Sequence, residues 1–321
     1  MGMTRITLAA VTLWLGAAAL GAYAPQDAQQ RPPVIRSGTD TVRVFVTVTD
    51  RDGRIVTNLT QDQFEIRDEG RPQPITLFDN SPRPIELIVM LDVSGSMEGN
   101  LGLLRASARR LFAGLSEDDV ARVGTFGNDI TISETWTRDV GALDAALPTT
   151  IESTASTPLW RALDEAIQAF DEASDRRRVV VVLSDGYDSG PMFGRRYITQ
   201  GQAIDRAREH DVMVYGIGLR SRGARPRVGL GQGGLSAAMR DDEPDPGLAR
   251  AALETGGGYS DVRPGNDLGA AFASIIAELH SQYLVGFEPP KRDGKKHDIS
   301  VRVAGRGLEP RARTSYVAPR G

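Results

Sequence analysis

The sequence predicts an α/β protein: a doubly wound, mostly parallel sheet flanked by helices, with a small accessory β unit drawn from the N- and C-terminal strands. Three observations carry this expectation. The run Ile85-Glu-Leu-Ile-Val-Met-Leu91 is apolar but for one Glu, the pattern of a strand buried on both faces of a parallel sheet. Arg178-Val-Val-Val-Val-Leu-Ser184 repeats that pattern. Around these two runs, strand-like and helix-like segments alternate, which argues for a sheet covered by helices.

Taken in order, Arg5 is followed by an uncharged stretch from Ile6 to Gln26, rich in Ala and Leu. Ala22 and Ala24 flank Tyr23 in an A-x-A-like cleavage pattern, although Pro25 disfavours a cut after Ala24 and shifts it toward Ala19 or Ala22. The stretch is also close to the ~20 residues that span a bilayer. A signal peptide over 1–24 and a retained signal anchor therefore both stand, and either places the folded part outside the cytoplasm. Residues 25–40 are polar and contain proline, as flexible linkers do. An N-terminal β segment is expected over 41–82, where apolar and polar residues alternate between Asp50-Arg-Asp-Gly53 and Asp68-Glu-Gly70 turns.

The α/β domain is expected over 83–281. Its strands fall near 85–91, 121–126, 130–136, 178–184 and 212–218. Its helices fall near 98–115, 139–147, 158–173, 199–210, 246–255 and 266–280. The C-terminal β segment, 282–319, carries strands near 282–288, 297–303 and 310–317. It is expected to pack with the N-terminal segment, because sheet edges need cover.

The chemistry concentrates at strand ends. Asp92-Val-Ser94-Gly-Ser96 follows the first buried strand directly, at the carboxyl end where open α/β sheets place ligands. Oxygen side chains at alternate positions there can converge on one hard cation. Ser156-Thr157-Pro158-Leu159 opens a helical stretch with apolar residues at 159, 163, 166, 167 and 170, and the second buried strand ends in Asp185-Gly186. Each piece alone has a plainer reading. Ser94, Ser96 or Thr157 could cap a helix, and Asp185 could close an Asx turn. Neither plain reading explains all three segments in this order.

Asp92-x-Ser94-x-Ser96, then Thr157, then Asp185, resembles the metal-ion-dependent adhesion site of von Willebrand factor type A domains at all five positions. The resemblance implies one divalent cation at the top of the sheet, touched by Ser94, Ser96 and Thr157, with Asp92 and Asp185 acting partly through water. A cation held mainly by neutral hydroxyls keeps much of its charge, and the family's usual sixth ligand is a partner's carboxylate. Mg²⁺ is expected, with Mn²⁺ or Ca²⁺ as alternatives, because hydroxyl-rich and water-completed coordination suits the smaller ion. Flanking segments resemble a bacterial group of von Willebrand factor A-related secreted proteins. They are Val42–Asp50 with Asp52-Gly53, Leu59–Ile66 with Asp68–Gly70, Ile75 and Phe78, then Glu254–Tyr259, Gln282–Phe287 and Ser315–Pro319. That resemblance covers about 40–319.

Composition narrows the functions. The chain has 321 residues, 40% of them hydrophobic, which is enough for a sizeable core. A net charge of −4 and a pI near 5.6 give no global field favouring nucleic acid. Arg176-Arg-Arg178 and Arg195-Arg196 read as solvated faces. The absence of cysteine excludes disulfides, thiol catalysis, iron–sulfur sites and a Cys-linked lipid anchor. An aspartyl phosphatase wants a second carboxylate two residues after its nucleophile, and Ser94 stands there. No Gly-x-Ser-x-Gly elbow or Walker loop is present, and the three histidines, His210, His280 and His297, have no zinc-binding spacing. Each reads as a surface or structural residue.

From 221 to 246 the chain is Gly- and Arg-rich, then acidic, without an apolar period. It leaves the same sheet edge as the metal residues, so it forms either part of the ligand rim or an insertion without consequence. Gly229-x-Gly231-x-x-Gly234 follows no strand directly and is discounted as a dinucleotide site. Asp188 and Glu98 read as solvent-exposed neighbours, and Gly95 and Gly186 as residues that let the backbone turn beside the ion. The sequence thus points to a non-enzymatic, metal-dependent interaction module, secreted or in the cell envelope, whose partner is a protein presenting Asp or Glu. The alternative is a structural envelope domain with a fold-stabilising metal, and a metal-dependent phosphoesterase stands behind both.

Overall fold

The computed structural model describes residues 41–171, 174, 176–189, 197–220, 244–263 and 266–320. The expected leader and linker, Arg195-Arg196 and the 221–243 part of the irregular loop lie outside them. The N-terminal segment forms β1 (Val42–Thr49), β2 (Phe64–Asp68), β3 (Arg71–Gln73) and β4 (Leu77–Asp79). The α/β domain follows with β5 (Ile85–Asp92), α1 (Leu101–Ala113), β6 (Val120–Phe126), β7 (Ile130–Ile132), α2 (Val140–Ala145) and α3 (Leu159–Gln168). It continues through β8 (Arg177–Ser184), α4 (Gln200–Glu209), β9 (Val212–Leu219), α5 (Pro246–Thr255), β10 (Tyr259–Val262) and α6 (Leu268–Leu279). The tail adds β11 (Tyr283–Phe287), β12 (Lys296–Val303), β13 (Glu309–Arg311) and β14 (Ser315–Val317).

The central sheet runs β10-β9-β8-β5-β6-β7, parallel except for the β7 edge. Every residue of β5 is buried, because alternate side chains feed two separate cores. Leu87, Val89 and Leu91 join Val179, Val181 and Leu183 under α1 and α6, whereas Ile88 and Met90 join Val180 and Val182 under α3, α4 and α5. The single Glu of the run, Glu86, is buried and accepts a hydrogen bond from the Ser174 hydroxyl at 2.6 Å. From β5 the chain moves outward to β6 and β7, and it returns to β8 on the opposite side of β5. The strand order therefore reverses between β5 and β8, and that reversal fixes where a crevice opens.

The N- and C-terminal strands do pair. They make two four-stranded sheets, β13-β1-β11-β4 and β14-β12-β2-β3. Val42, Val44, Val46 and Val48 of β1 share one apolar core with Ile66, Ile299, Phe287 and Tyr316, so the accessory unit is a small sandwich. The opposite face of β1 turns to the α/β domain. Phe45 packs on the α1 and α6 core, and the Thr47 hydroxyl donates to Glu278 Oε1 at 2.9 Å.

Several elements differ from expectation: β7 ends at Ile132 and α3 at Gln168, short of the expected 136 and 173. The helix after the Asp92 turn begins at Leu101 and not near 98, because residues 95–97 form a separate 3-10 turn and Gly99 sits at φ 91. The last expected strand splits into β13 and β14 because the chain changes sheets between them, from β1 to β12. The edge strand β10 was not anticipated. It is four residues long and pairs, among the described residues, with β9 alone, too short for a periodic signal.

Candidate metal centre

All five sequence-predicted residues gather at the carboxyl ends of β5 and β8, at the reversal in strand order. Asp92 is the last residue of β5, and Asp185 follows the last residue of β8; both are fully buried. Asp92 Oδ1 accepts the Ser94 backbone N–H at 2.9 Å, which closes the turn and swings the Ser94 hydroxyl toward Ser96. The two hydroxyl oxygens lie 3.1 Å apart, and Ser96 donates to Asp185 Oδ1 at 2.6 Å. Thr157 joins from the third segment: a Cβ built on Gly186 would stand 3.5 Å from Thr157 Oγ1 and 3.8 Å from Ser96 Oγ.

The plainer roles for the hydroxyls are not taken up. Ser94 precedes the 3-10 turn, yet its side chain makes no capping hydrogen bond. The residue capping α3 is Pro158, not Thr157, and it too has no side-chain cap. Thr157 is held by its backbone instead: its N–H donates to the Ser189 hydroxyl, and its carbonyl accepts the Ser189 N–H at 2.9 Å. The loop before α3 is thereby tied to the loop after β8.

Electrostatics give the cluster its character. Burial, then the negative charge of Asp185, pushes the Asp92 carboxyl up to about 7, against the lowering effect of hydrogen bonds from Ser184 and Ser94. A positive charge placed among these oxygens would relieve both penalties. Among the described residues, no group of three or more His, Cys, Asp or Glu is arranged to hold a metal ion, so the hydroxyls would have to complete a donor set here. Hydroxyl and carboxylate oxygens are the donors a hard divalent cation takes, and the residues present fit one.

Ser184 escaped the sequence reading. Its hydroxyl donates to Asp92 Oδ2 at 2.6 Å, fixing the carboxylate that Ser94 holds from the other side. Its only sequence signal is its place directly before Asp185. Asp188 corrects an expectation: it is half-buried, its Oδ1 accepts the Trp160 N–H at 3.3 Å, and its own N–H donates to Asp245 Oδ2 at 3.2 Å. It braces the start of α3 and does not simply face solvent. Glu98 is exposed, as expected. Gly95 is required by close approach, since a Cβ there would lie 2.2 Å from the Ser153 carbonyl oxygen. Gly186 meets no such obstacle, so the turn itself does not demand glycine.

The histidines stay out of this centre. His280 contacts Asp119 Oδ2 at 2.8 Å, and the buried His297 sits between Asp68 and Asp293, at 3.2 and 3.1 Å. Both are structural. Among the described residues no helix is long and apolar enough to cross a membrane, and the apolar stretch 6–26 lies outside them.

Residues 87–187 match the family model of the von Willebrand factor type A domain. No curated protein matches the chain. Among solved structures, the chain is similar to the conserved hypothetical protein BatB from Bacteroides thetaiotaomicron, with 19% identity, 61% of this chain and 98% of that one covered, and a TM-score of 0.46. It is similar also to a von Willebrand factor type A protein from Catenulispora acidiphila, at 11% identity over 88% and 75% of the two chains, TM-score 0.47. A third is the ArnB paralog VWA2 from Sulfolobus acidocaldarius, at 16% identity over 88% and 76%, TM-score 0.41.

Proposed function

We propose, from the premise that residues 87–187 form a von Willebrand factor type A domain, that this protein is a non-enzymatic, metal-dependent interaction module that binds a carboxylate of a partner protein. The observation that carries the reading is the convergence of Ser94, Ser96, Thr157, Asp92 and Asp185 at the crevice between β5 and β8, with hydroxyls that no helix uses as caps. A bound divalent cation, Mg²⁺ in the first instance, would supply a positive centre for an Asp or Glu side chain. Ser94 and Ser96 present their oxygens from one turn, and Thr157 from the facing loop. Asp92 and Asp185 supply negative charge from below, where Ser184 and the Ser94 N–H orient Asp92. Neutral donors on the open side leave the cation's charge available to a partner.

The leader-like N-terminus favours a place outside the cytoplasm, secreted or in the envelope, where the partner would be met. Calorimetric titration of Mg²⁺ and Mn²⁺ into the metal-free protein, alongside Asp92→Ala, tests the site. One ion bound by the wild type and none by a folded variant is the expected result; no binding by the wild type would end the proposal. Titration of an Asp-containing peptide with and without EDTA then separates an interaction role from a purely structural metal. A structural metal raises the melting temperature and leaves the peptide unbound.

A further inference from the structure

The opposite end of the central sheet carries a second feature. A pocket of about 680 Å³ opens where β5 and β8 begin and the sandwich meets the α/β domain. Its arginines come from three distant places: Arg43 on β1, Arg83 just before β5, and the run Arg176-Arg177-Arg178 at the start of β8. Among the described residues, two carboxylates, Asp118 and Asp211, line the same space. In a chain of net charge −4, this is a concentrated local excess of positive charge.

Among the described residues, ion pairs answer only part of it. Arg83 pairs with Asp79 at 2.7 Å, and Asp211 is already engaged by Arg313 at 2.7 Å. Arg43, Arg176 and Arg177 have no carboxylate within ion-pair distance among the described residues. Arg176 donates to the Asp118 backbone carbonyl at 3.0 Å. Arg177, buried at 7% exposure, stacks on Phe45 at 4.7 Å and donates to Gln282 Oε1 at 2.6 Å. The Nε atoms of Arg83 and Arg177 are buried with no hydrogen-bond partner among the described residues. A buried cation such as Arg177, and a buried donor left without an acceptor, are costly unless an anion answers them.

We propose that this pocket is an anion site for a phosphate-bearing organic ligand. Guanidinium forks match the tetrahedral oxygens of phosphate in paired hydrogen bonds, and several arginines from separate elements can surround one group. The space far exceeds a bare phosphate, and Phe45, Pro84 and Leu284 provide an apolar wall for the body that carries it. A phosphorylated small molecule and the headgroup of an anionic phospholipid share that chemistry.

The test uses the full chain in EDTA, so that the candidate metal centre plays no part. Inorganic phosphate and glycerol 3-phosphate are titrated against chloride at matched ionic strength, followed by calorimetry. Saturable one-site binding is expected, and Arg43→Gln with Arg176→Gln, both exposed side chains, should weaken it about tenfold or more. Arg109→Gln with Arg110→Gln removes the same charge from α1 and should leave binding unchanged. In a second arm, sedimentation with phosphatidylglycerol vesicles is compared with phosphatidylcholine vesicles. Retention that needs Arg43 and Arg176 and is competed by glycerol 3-phosphate assigns the ligand to a lipid headgroup. Binding of soluble phosphates alone assigns it to a free phosphate compound. If phosphate binds no better than chloride, or if the Arg43/Arg176 variant matches the wild type in both arms, the proposal is overturned.

Discussion

At the scale of single residues, Asp92 carries the sharpest consequences. Its carboxyl sits near 7 in the metal-free fold and near 4 when unfolded, so the folded state holds the extra proton between those values. Metal-free stability should therefore fall as pH rises from about 4 to about 7, by up to about 4 kcal/mol. Thermal melts in EDTA across that range check the sign, and a rising melting temperature would contradict it. Asp92→Asn removes the charge while keeping an acceptor and a donor for Ser94 and Ser184, so it should flatten the profile and raise the melting temperature at pH 8 in EDTA. The same variant should lose all stabilisation by Mg²⁺. A buried apolar residue gives the contrast: Leu87→Ala, in the centre of β5, should cost about 2–5 kcal/mol in urea melts, independent of pH and metal. That the five residues proposed for the site would fall in turns at strand ends or before a helix could be read in the sequence. The part of Ser184 could not, since a serine at a strand end has many uses and only the fold brings it to 2.6 Å from Asp92.

At the scale of elements, the joint between the sandwich and the α/β domain is polar and buried. Glu278, near the end of α6, accepts from Thr47 of β1 at 2.9 Å and from Tyr215 of β9 at 2.5 Å, and it pairs with Arg311 of β13. Gln282 connects Arg177 to Thr47, at 2.6 and 2.8 Å. Removing one member strands the others, so Glu278→Ala should cost about 2–4 kcal/mol. Arg110→Ala breaks only the exposed pair with Asp267 and should cost less than about 1 kcal/mol. Equal losses for the two in chemical denaturation would show that the joint contributes nothing beyond a surface ion pair. The buried strands and most helices of the α/β domain could be read from periodicity alone. The joint could not, and of the Arg176–Arg178 run, read as a solvated face, Arg176 is exposed but Arg177 is buried. Strand alternation turns Arg177 inward, against Phe45, a neighbour more than a hundred residues away in the chain.

At the scale of the whole molecule, the two ends of the described chain complete one another. β1 is paired on both sides by C-terminal strands, Val42–Val46 with β11 and Thr47–Thr49 with β13. Ending the chain after residue 281 would strip β1 of both neighbours and expose its row of valines. The truncated protein is expected to aggregate, whereas a chain lacking 41–82 as well as 282–321 should be more soluble than the single truncation; comparing the soluble fractions of the two checks this. The pairing also sets a timetable. Thr47 meets Gln282 across 235 residues, so β1, the earliest described strand to leave the ribosome or a translocation pore, is among the last to find its place. Closing so long a loop before any reward of contact makes folding slow, and it leaves β1 with open edges throughout. A protein built this way cannot mature piecemeal from its N-terminus. If it is exported, its final assembly belongs to the far side of the membrane, after the last strand has crossed.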